Sequence, residues 1–263
     1  MSVIVLKSGF VHYEVLGRGR PVIFLHGWVG SWRYWMPALQ AASATYRAYA
    51  LDLWGFGETT KNPEQYSLEK QVDLVDSFLN EMGMGRVVLV GHGLGAVISL
   101  LFSQRFPDIV DRVLAVSCPL EEGAISNRFR TGAPGALAEW LLPGSSPLSE
   151  SIRLDAVKAD LAAVQVSMNA AAVLATHRLW DQPALACLWV HGQNDAAIAA
   201  PSIQRFADMP EHAHAILFEE SGHFPMLDEN NKFNRLLMDF LNLPSGESPR
   251  QLQVKEEWKR RVR

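Results

Sequence analysis

Residues 87–104 read Val87-Val88-Leu89-Val90-Gly91-His92-Gly93-Leu94-Gly95-Ala96-Val97-Ile98-Ser99-Leu100-Leu101-Phe102-Ser103-Gln104, an apolar run held between Arg86 and Arg105. The length would suit a membrane span, but Gly91, Gly93 and Gly95 crowd its middle around His92. Each glycine costs about 1 kcal/mol inside a helix relative to alanine, so the run reads as a buried strand, a tight turn and a helix. The strand is expected over Val87–Val90 and the helix over Leu94–Phe106, with no membrane span.

Working outward, the same alternation recurs on both sides. Tyr46–Leu51 and Val113–Ser117 read as strands, and Ser67–Met82 as a helix whose Leu68, Val72, Val75, Leu79 and Met82 share one face. Upstream, Val3–Leu6 and Phe10–Leu16 read as a hairpin around Lys7-Ser8-Gly9, Pro21–Leu25 reads as a third strand, and Ser31 can cap a helix running to Gln40. Downstream, Cys187–His191 and Ala215–Phe218 are strands and Asn230–Leu241 is a helix. Strands alternating with helices give an α/β fold: a mostly parallel sheet covered by helices on both faces.

Between residues 119 and 180 the alternation stops. Gly123, Gly132, Pro134, Gly135, Pro143, Gly144 and Pro147 break the chain, and Ala-rich helical segments follow between Ser149 and Leu179. The expected organisation is a core formed by 1–118 and 181–243, a helical cap at 119–180, and a tail at 244–263. From Arg250 onward six basic residues stand against Glu256 and Glu257, which reads as a solvated tail able to dock on an acidic body.

The 263 residues are 48% apolar and 20% charged, enough for a large core, and the net charge of −4 with no long internal basic block argues against a nucleic-acid partner. A small molecule is the expected partner. Cys118 and Cys187 are too few for a disulfide scaffold, and Met1–Phe10 lacks the layout of a secretory signal, so a cytoplasmic setting is expected.

Four further stretches fall at strand ends: His26-Gly27-Trp28, Asp52-Leu53-Trp54-Gly55-Phe56-Gly57, His191-Gly192-Gln193-Asn194-Asp195 and Ser221-Gly222-His223-Phe224-Pro225. Ligand and catalytic groups of open parallel sheets gather beyond the carboxyl ends of the strands. With Gly91-His92-Gly93-Leu94-Gly95, the chain resembles the α/β-hydrolase family over roughly Val3–Leu243. That family places its nucleophile at the centre of a small-x-nucleophile-x-small turn, followed in chain order by an acid and a histidine. The resemblance implies Asp195 as the acid, His223 as the base and the backbone N–H groups of Trp28 and Leu94 as oxyanion donors. The nucleophile position holds Gly93.

A glycine there relieves a strained positive-φ turn but forms no acyl-enzyme. Loss of the serine nucleophile costs serine hydrolases on the order of 10⁶ in turnover, so conventional ester hydrolysis is expected to be poor. What remains is a His223–Asp195 dyad suited to general-base chemistry without cofactor or metal on a small apolar carbonyl compound. The family also contains serine-independent histidine–aspartate enzymes and non-enzymatic receptors, so a binder of apolar ligands is the alternative. Trp28, Trp32, Trp35, Trp54 and Phe224 cluster at the same strand ends, with Trp54 and Phe224 the expected substrate contacts.

Rival readings of single residues are weaker. Gly91-x-Gly93-x-x-Ala96 satisfies a dinucleotide-binding pattern, but the next strand ends at Cys118-Pro119 without an acidic ribose contact, and Glu121 and Glu122 come late. By resemblance His92 faces away from the triad histidine and serves packing or hydrogen bonding. Cys118 fits core packing better than a relocated nucleophile, and Asp52 fits a turn better than an alternative acid. His212 and His214 are too few for a zinc site.

Overall fold

The computed structural model describes residues 2–121, 123–142, 144–174, 185–202 and 208–253. Eight strands form one sheet: β1 (Ser2–Leu6), β2 (Gly9–Gly17), β3 (Arg20–Leu25), β4 (Tyr46–Leu51), β5 (Val87–His92), β6 (Val110–Val116), β7 (Ala186–Gly192) and β8 (Ala213–Phe218), in spatial order β1-β2-β4-β3-β5-β6-β7-β8. β1 and β2 join the sheet antiparallel, and every pairing from β4 to β8 is parallel. β5 and β6 are buried along their whole length, as central strands covered on both faces must be.

The covering helices are α1 (Met36–Ala42), α2 (Leu68–Glu81), α3 (Leu94–Arg105) and, after β8, α8 (Pro225–Asp228) and α9 (Asn230–Leu241). α1 packs on α9, and α2 on α3. Ser67 starts α2 by accepting a hydrogen bond from the Lys70 N–H, a cap that satisfies one of the helix's orphan donors. Between β6 and β7 the chain forms α4 (Asn127–Thr131), α5 (Pro134–Leu141), α6 (Pro147–Ala156) and α7 (Leu161–Val173). α7 rests on α2 and α3, while α6 touches the turn before α1.

Several expectations change. The helix expected from Ser31 is instead a 3₁₀ turn, Trp32–Trp35, followed by α1; Ser31 caps the turn, and Pro37, which has no N–H to donate, sits in the first turn of α1. β6 starts three residues before the expected Val113, at Val110, so the charged Asp111 and Arg112 lie inside a buried strand. Their charges are met there: the guanidinium Nε donates to Asp111 at 2.7 Å and Nη1 donates to the Phe240 and Leu243 carbonyls at 2.8 and 2.7 Å. Pro134 and Pro147 begin α5 and α6 instead of breaking helices, because the first helical position needs no N–H.

The start of the tail docks on backbone carbonyls instead of on acidic side chains. Ser248 donates to the Glu211 carbonyl, Arg250 to the Met209 and Ala213 carbonyls, and Leu252 is buried. The basic residues Lys255 to Arg263, Glu256, Glu257, Glu122, Pro143 and the expected cap end at 175–180 lie outside the described residues. No helix among the described residues is long and apolar enough to cross a membrane.

Candidate active site

Gly93 joins β5 to α3 with φ 49° and ψ −108°, a backbone state that glycine reaches without the Cβ penalty of other residues. The turn is held tightly. Gly93 N–H donates to Val116 O at 2.9 Å and Gly95 N–H to His26 O at 3.0 Å. At Gly95 a Cβ would run into the Leu25 carbonyl, so α3 can approach β3 only with glycine there. At Gly93 itself a Cβ would lie 3.3 and 3.4 Å from Cε3 and Cζ3 of Trp28 and 3.6 Å from the Gly27 Cα. The indole of Trp28 thus lies over the place where a side chain would begin.

Asp195 follows β7 and His223 follows β8, adjacent parallel strands whose exit loops are tied by Asn194 N–H donating to Ser221 O at 2.9 Å. His223 Nδ1 lies 2.9 Å from Asp195 Oδ2. The other carboxylate oxygen accepts from the backbone N–H groups of Ala197 and Ile198 at 2.8 and 3.0 Å. Burial pushes the Asp195 carboxyl up, but the imidazole charge, its hydrogen bond and these N–H groups outweigh burial and bring it down to about 2. A carboxylate only accepts, so His223 carries a proton on Nδ1, and Nε2 is the nitrogen that offers a lone pair when the ring is neutral. That Nε2 is buried and has no hydrogen-bond partner among the described residues.

The imidazole is walled by aromatic rings. Phe129 of α4 and Phe224 lie 5.1 Å away, both edge-on, and Trp28 meets Phe129 edge-on at 5.9 Å. Trp28 Nε1 in turn donates to Ser167 Oγ of α7 at 3.0 Å, linking the loop after β3 to the helices between β6 and β7. A second link converges on Asp155 of α6, which accepts from Ser31 Oγ at 2.6 Å and Arg33 Nε at 2.9 Å.

His26 fixes the loop that carries Trp28. Its Nδ1 donates to Gly27 O at 2.7 Å and its Nε2 accepts from Leu53 N–H at 3.0 Å, and burial keeps the ring below the usual histidine range. Leu94, as the first residue of α3, offers an N–H with no intrahelical acceptor.

Trp54 and Phe224, the expected substrate contacts, are both buried. Gln71 of α2 holds the Trp54 N–H and C=O, and the residue lines a surface cleft with Val5, Lys70 and Asp73. Phe224 is fully buried and packs against Tyr34, His92 and His223, supporting the histidine from behind. His92 does not face away from His223: its Nε2 bonds to the His223 carbonyl at 2.8 Å, and the two rings lie 4.6 Å apart.

The remaining single-residue readings resolve structurally. Asp52 accepts from Trp32 N–H and Glu58 N–H and pairs with His12 at 2.9 Å, which shapes the turn. Cys118 is buried, and burial pushes its thiol well above the usual range, away from a reactive thiolate. No group of three or more metal-binding side chains occurs among the described residues, and His214 Nε2 bonds to Leu252 O at 3.1 Å. Tyr34, Ser117, Phe129 and Ser167 were not singled out by sequence; their roles come from contacts between distant segments.

A mostly parallel sheet with helices on both faces and a strand–turn–helix at Gly93 is the architecture of an α/β-hydrolase fold. The chain belongs to the alpha/beta hydrolase family, whose profile matches residues 22–236. It is 27% identical over 257 residues to 2-hydroxy-6-oxo-2,4-heptadienoate hydrolase of Pseudomonas putida, covering 86% of this chain and 90% of that one. Among solved structures it superimposes on bromoperoxidase from Bacillus anthracis with a TM-score of 0.80 at 21% identity, covering 89% of this chain and 95% of the other. It also matches a serine-to-glycine mutant of an N-acyl homoserine lactonase complexed with N-hexanoyl homoserine lactone, with a TM-score of 0.78 at 17% identity over 96% and 99% of the two chains. Family membership sets the Gly91–Ala96 run in a hydrolase framework instead of a dinucleotide-binding one.

Proposed function

We propose that the chain performs general-base chemistry without an acyl-enzyme, on a small apolar carbonyl compound and without a cofactor. The observation that carries this is His223, oriented by Asp195 at 2.9 Å and left with a buried Nε2 that has no hydrogen-bond partner among the described residues, beside a turn that holds glycine. Nε2 takes a proton from water, the hydroxide adds to the substrate carbonyl carbon, and the oxyanion accepts from the N–H groups of Trp28 and Leu94. Proton abstraction next to a carbonyl uses the same base and the same donors. The resemblance to a hydrolase named for a 2-hydroxy-6-oxo-dienoate supports a carbonyl substrate, and the aromatic wall of Trp28 and Phe129 supports an apolar one. The helices between β6 and β7 act as the cap over this site.

A non-enzymatic binder is the second reading, favoured by one specific observation: a structurally similar lactonase carrying glycine in place of a serine holds its acyl lactone. A screen of esters, lactones and oxo-dienoates against the parent and His223→Ala separates the two. Loss of turnover by about 10²–10⁴ with ligand affinity retained is the expected result. Equal turnover in the two proteins would refute His223 as the base, and binding without turnover in the parent would establish the binder.

A further inference from the structure

His92, Tyr34 and Gly27 form a buried hydrogen-bond chain whose direction is dictated by its ends. The His223 carbonyl only accepts, so the 2.8 Å bond from His92 requires the proton on His92 Nε2. His92 Nδ1 is then an acceptor, and Tyr34 Oη, 2.9 Å away, must donate to it. Having spent its hydrogen, the Tyr34 oxygen accepts from Gly27 N–H at 2.5 Å. Both side chains are fully buried, and burial keeps His92 well below the usual histidine range, in the neutral form that this chain needs. Gly27 immediately precedes Trp28, and His92 immediately precedes Gly93.

We propose that Tyr34 and His92 are positioning residues: a directional relay that sets the loop carrying the Trp28 N–H against the segment carrying His223, with His92 locked as the Nε2–H tautomer. Its catalytic meaning rests on the general-base reading above. The relay aligns the base and the oxyanion donors as one unit, because a shift at Gly27 reaches the His223 main chain through three hydrogen bonds. Ser117 Oγ adds a second donor to the same His223 carbonyl at 3.2 Å. Ser117 is also the one non-glycine residue with positive φ among the described residues, at 44°, so the β6 terminus holds an unfavoured backbone state where it meets His223.

The test uses the intact protein with ¹⁵N-labelled histidine, read by long-range nitrogen–proton correlation. The parent is expected to show His92 protonated at Nε2 and bare at Nδ1. Protonation at Nδ1, or at both nitrogens, overturns the relay. Tyr34→Phe is expected to speed exchange of the Gly27 amide about tenfold, the loss of one hydrogen bond. His92→Leu is expected to move the His223 ring resonances, and His92→Gln, which keeps a donor near the Nε2 position, to restore them. Unchanged Gly27 protection together with unmoved His223 resonances in folded Tyr34→Phe and His92→Leu also overturns it. Where those variants do not fold, the parent tautomer decides alone. The same spectrum reports His223 Nδ1: an unprotonated nitrogen there defeats the dyad reading while leaving the His92 tautomer standing.

Discussion

Replacing Gly93 with serine tests two parts of the site at once. The φ of 49° at this position places any Cβ in an unfavoured backbone state, worth about 1–3 kcal/mol. The new Cβ would also sit 3.3 Å from Trp28 Cε3, so the indole must give way by a few tenths of an ångström. It is poorly free to do so, since Nε1 is bonded to Ser167 and the ring packs on Phe129. At about 2–4 °C per kcal/mol for a chain of this size, the melting temperature of Gly93→Ser should fall by about 2–12 °C. Differential scanning calorimetry measures the fall. The serine should meanwhile acquire its base from His223, so a fluorophosphonate should label it and short-chain esters should turn over measurably above the parent. Labelling is read by intact mass. A folded variant as stable as the parent would refute the strain assignment, and a folded variant that never labels would refute the placement of His223 near the turn.

Other outcomes follow from the buried polar groups. His191 is buried with neither ring nitrogen hydrogen-bonded among the described residues, and burial brings its imidazole down to about 4. The unfolded chain binds this proton below its ordinary value of 6.5 while the folded one does not, so stability should fall by about 3 kcal/mol as pH drops from 6.5 to 4. His191→Leu should flatten that slope in urea titrations, and an unchanged slope would contradict the assignment. Asp195 has the opposite chemistry but the same direction. Its carboxyl is down to about 2, so it contributes about 2 kcal/mol above pH 4 that disappears as pH falls through 2. Asp195→Asn should remove this acid-range component from a pH-dependent unfolding series, and its persistence would rule Asp195 out. Ser167→Ala strands the Trp28 indole N–H in a buried site and should cost about 1–3 kcal/mol, with a shift in tryptophan emission; a variant at parental stability would show that this link is dispensable.

The sheet was legible because its strands are long apolar runs with turn residues at their ends, and Tyr46–Leu51 and Asn230–Leu241 fall where the pattern puts them. The beginning of β6 was not, since Asp111 and Arg112 look like a solvated turn until the pairing of the two and the bonds of Arg112 to the Phe240 and Leu243 carbonyls are known. Pro134 and Pro147 misled in the same way, because a proline's meaning depends on whether it lies inside a helix or at its first position. In the site, Asp195, His223 and Gly93 stood out through resemblance. Tyr34 did not: a tyrosine inside an aromatic-rich Trp32–Trp35 stretch looks like core, and its bond to His92 spans 58 residues. Trp54 is illegible for a related reason, as residues at one strand end can turn toward the sheet interior, the surface or the pocket, and sequence spacing does not choose among them.

The Arg112 guanidinium carries an implication for biogenesis. Its carbonyl partners lie 128 and 131 residues further along the chain, near the end of α9. At ribosomal speeds of roughly 5–20 residues per second, β6 emerges on the order of ten seconds before the groups that complete its hydrogen bonding. Until then the guanidinium has the neighbouring Asp111 carboxylate at 2.7 Å but not those carbonyls, so the hydrogen bonding of β6 is completed only once the end of α9 has been made.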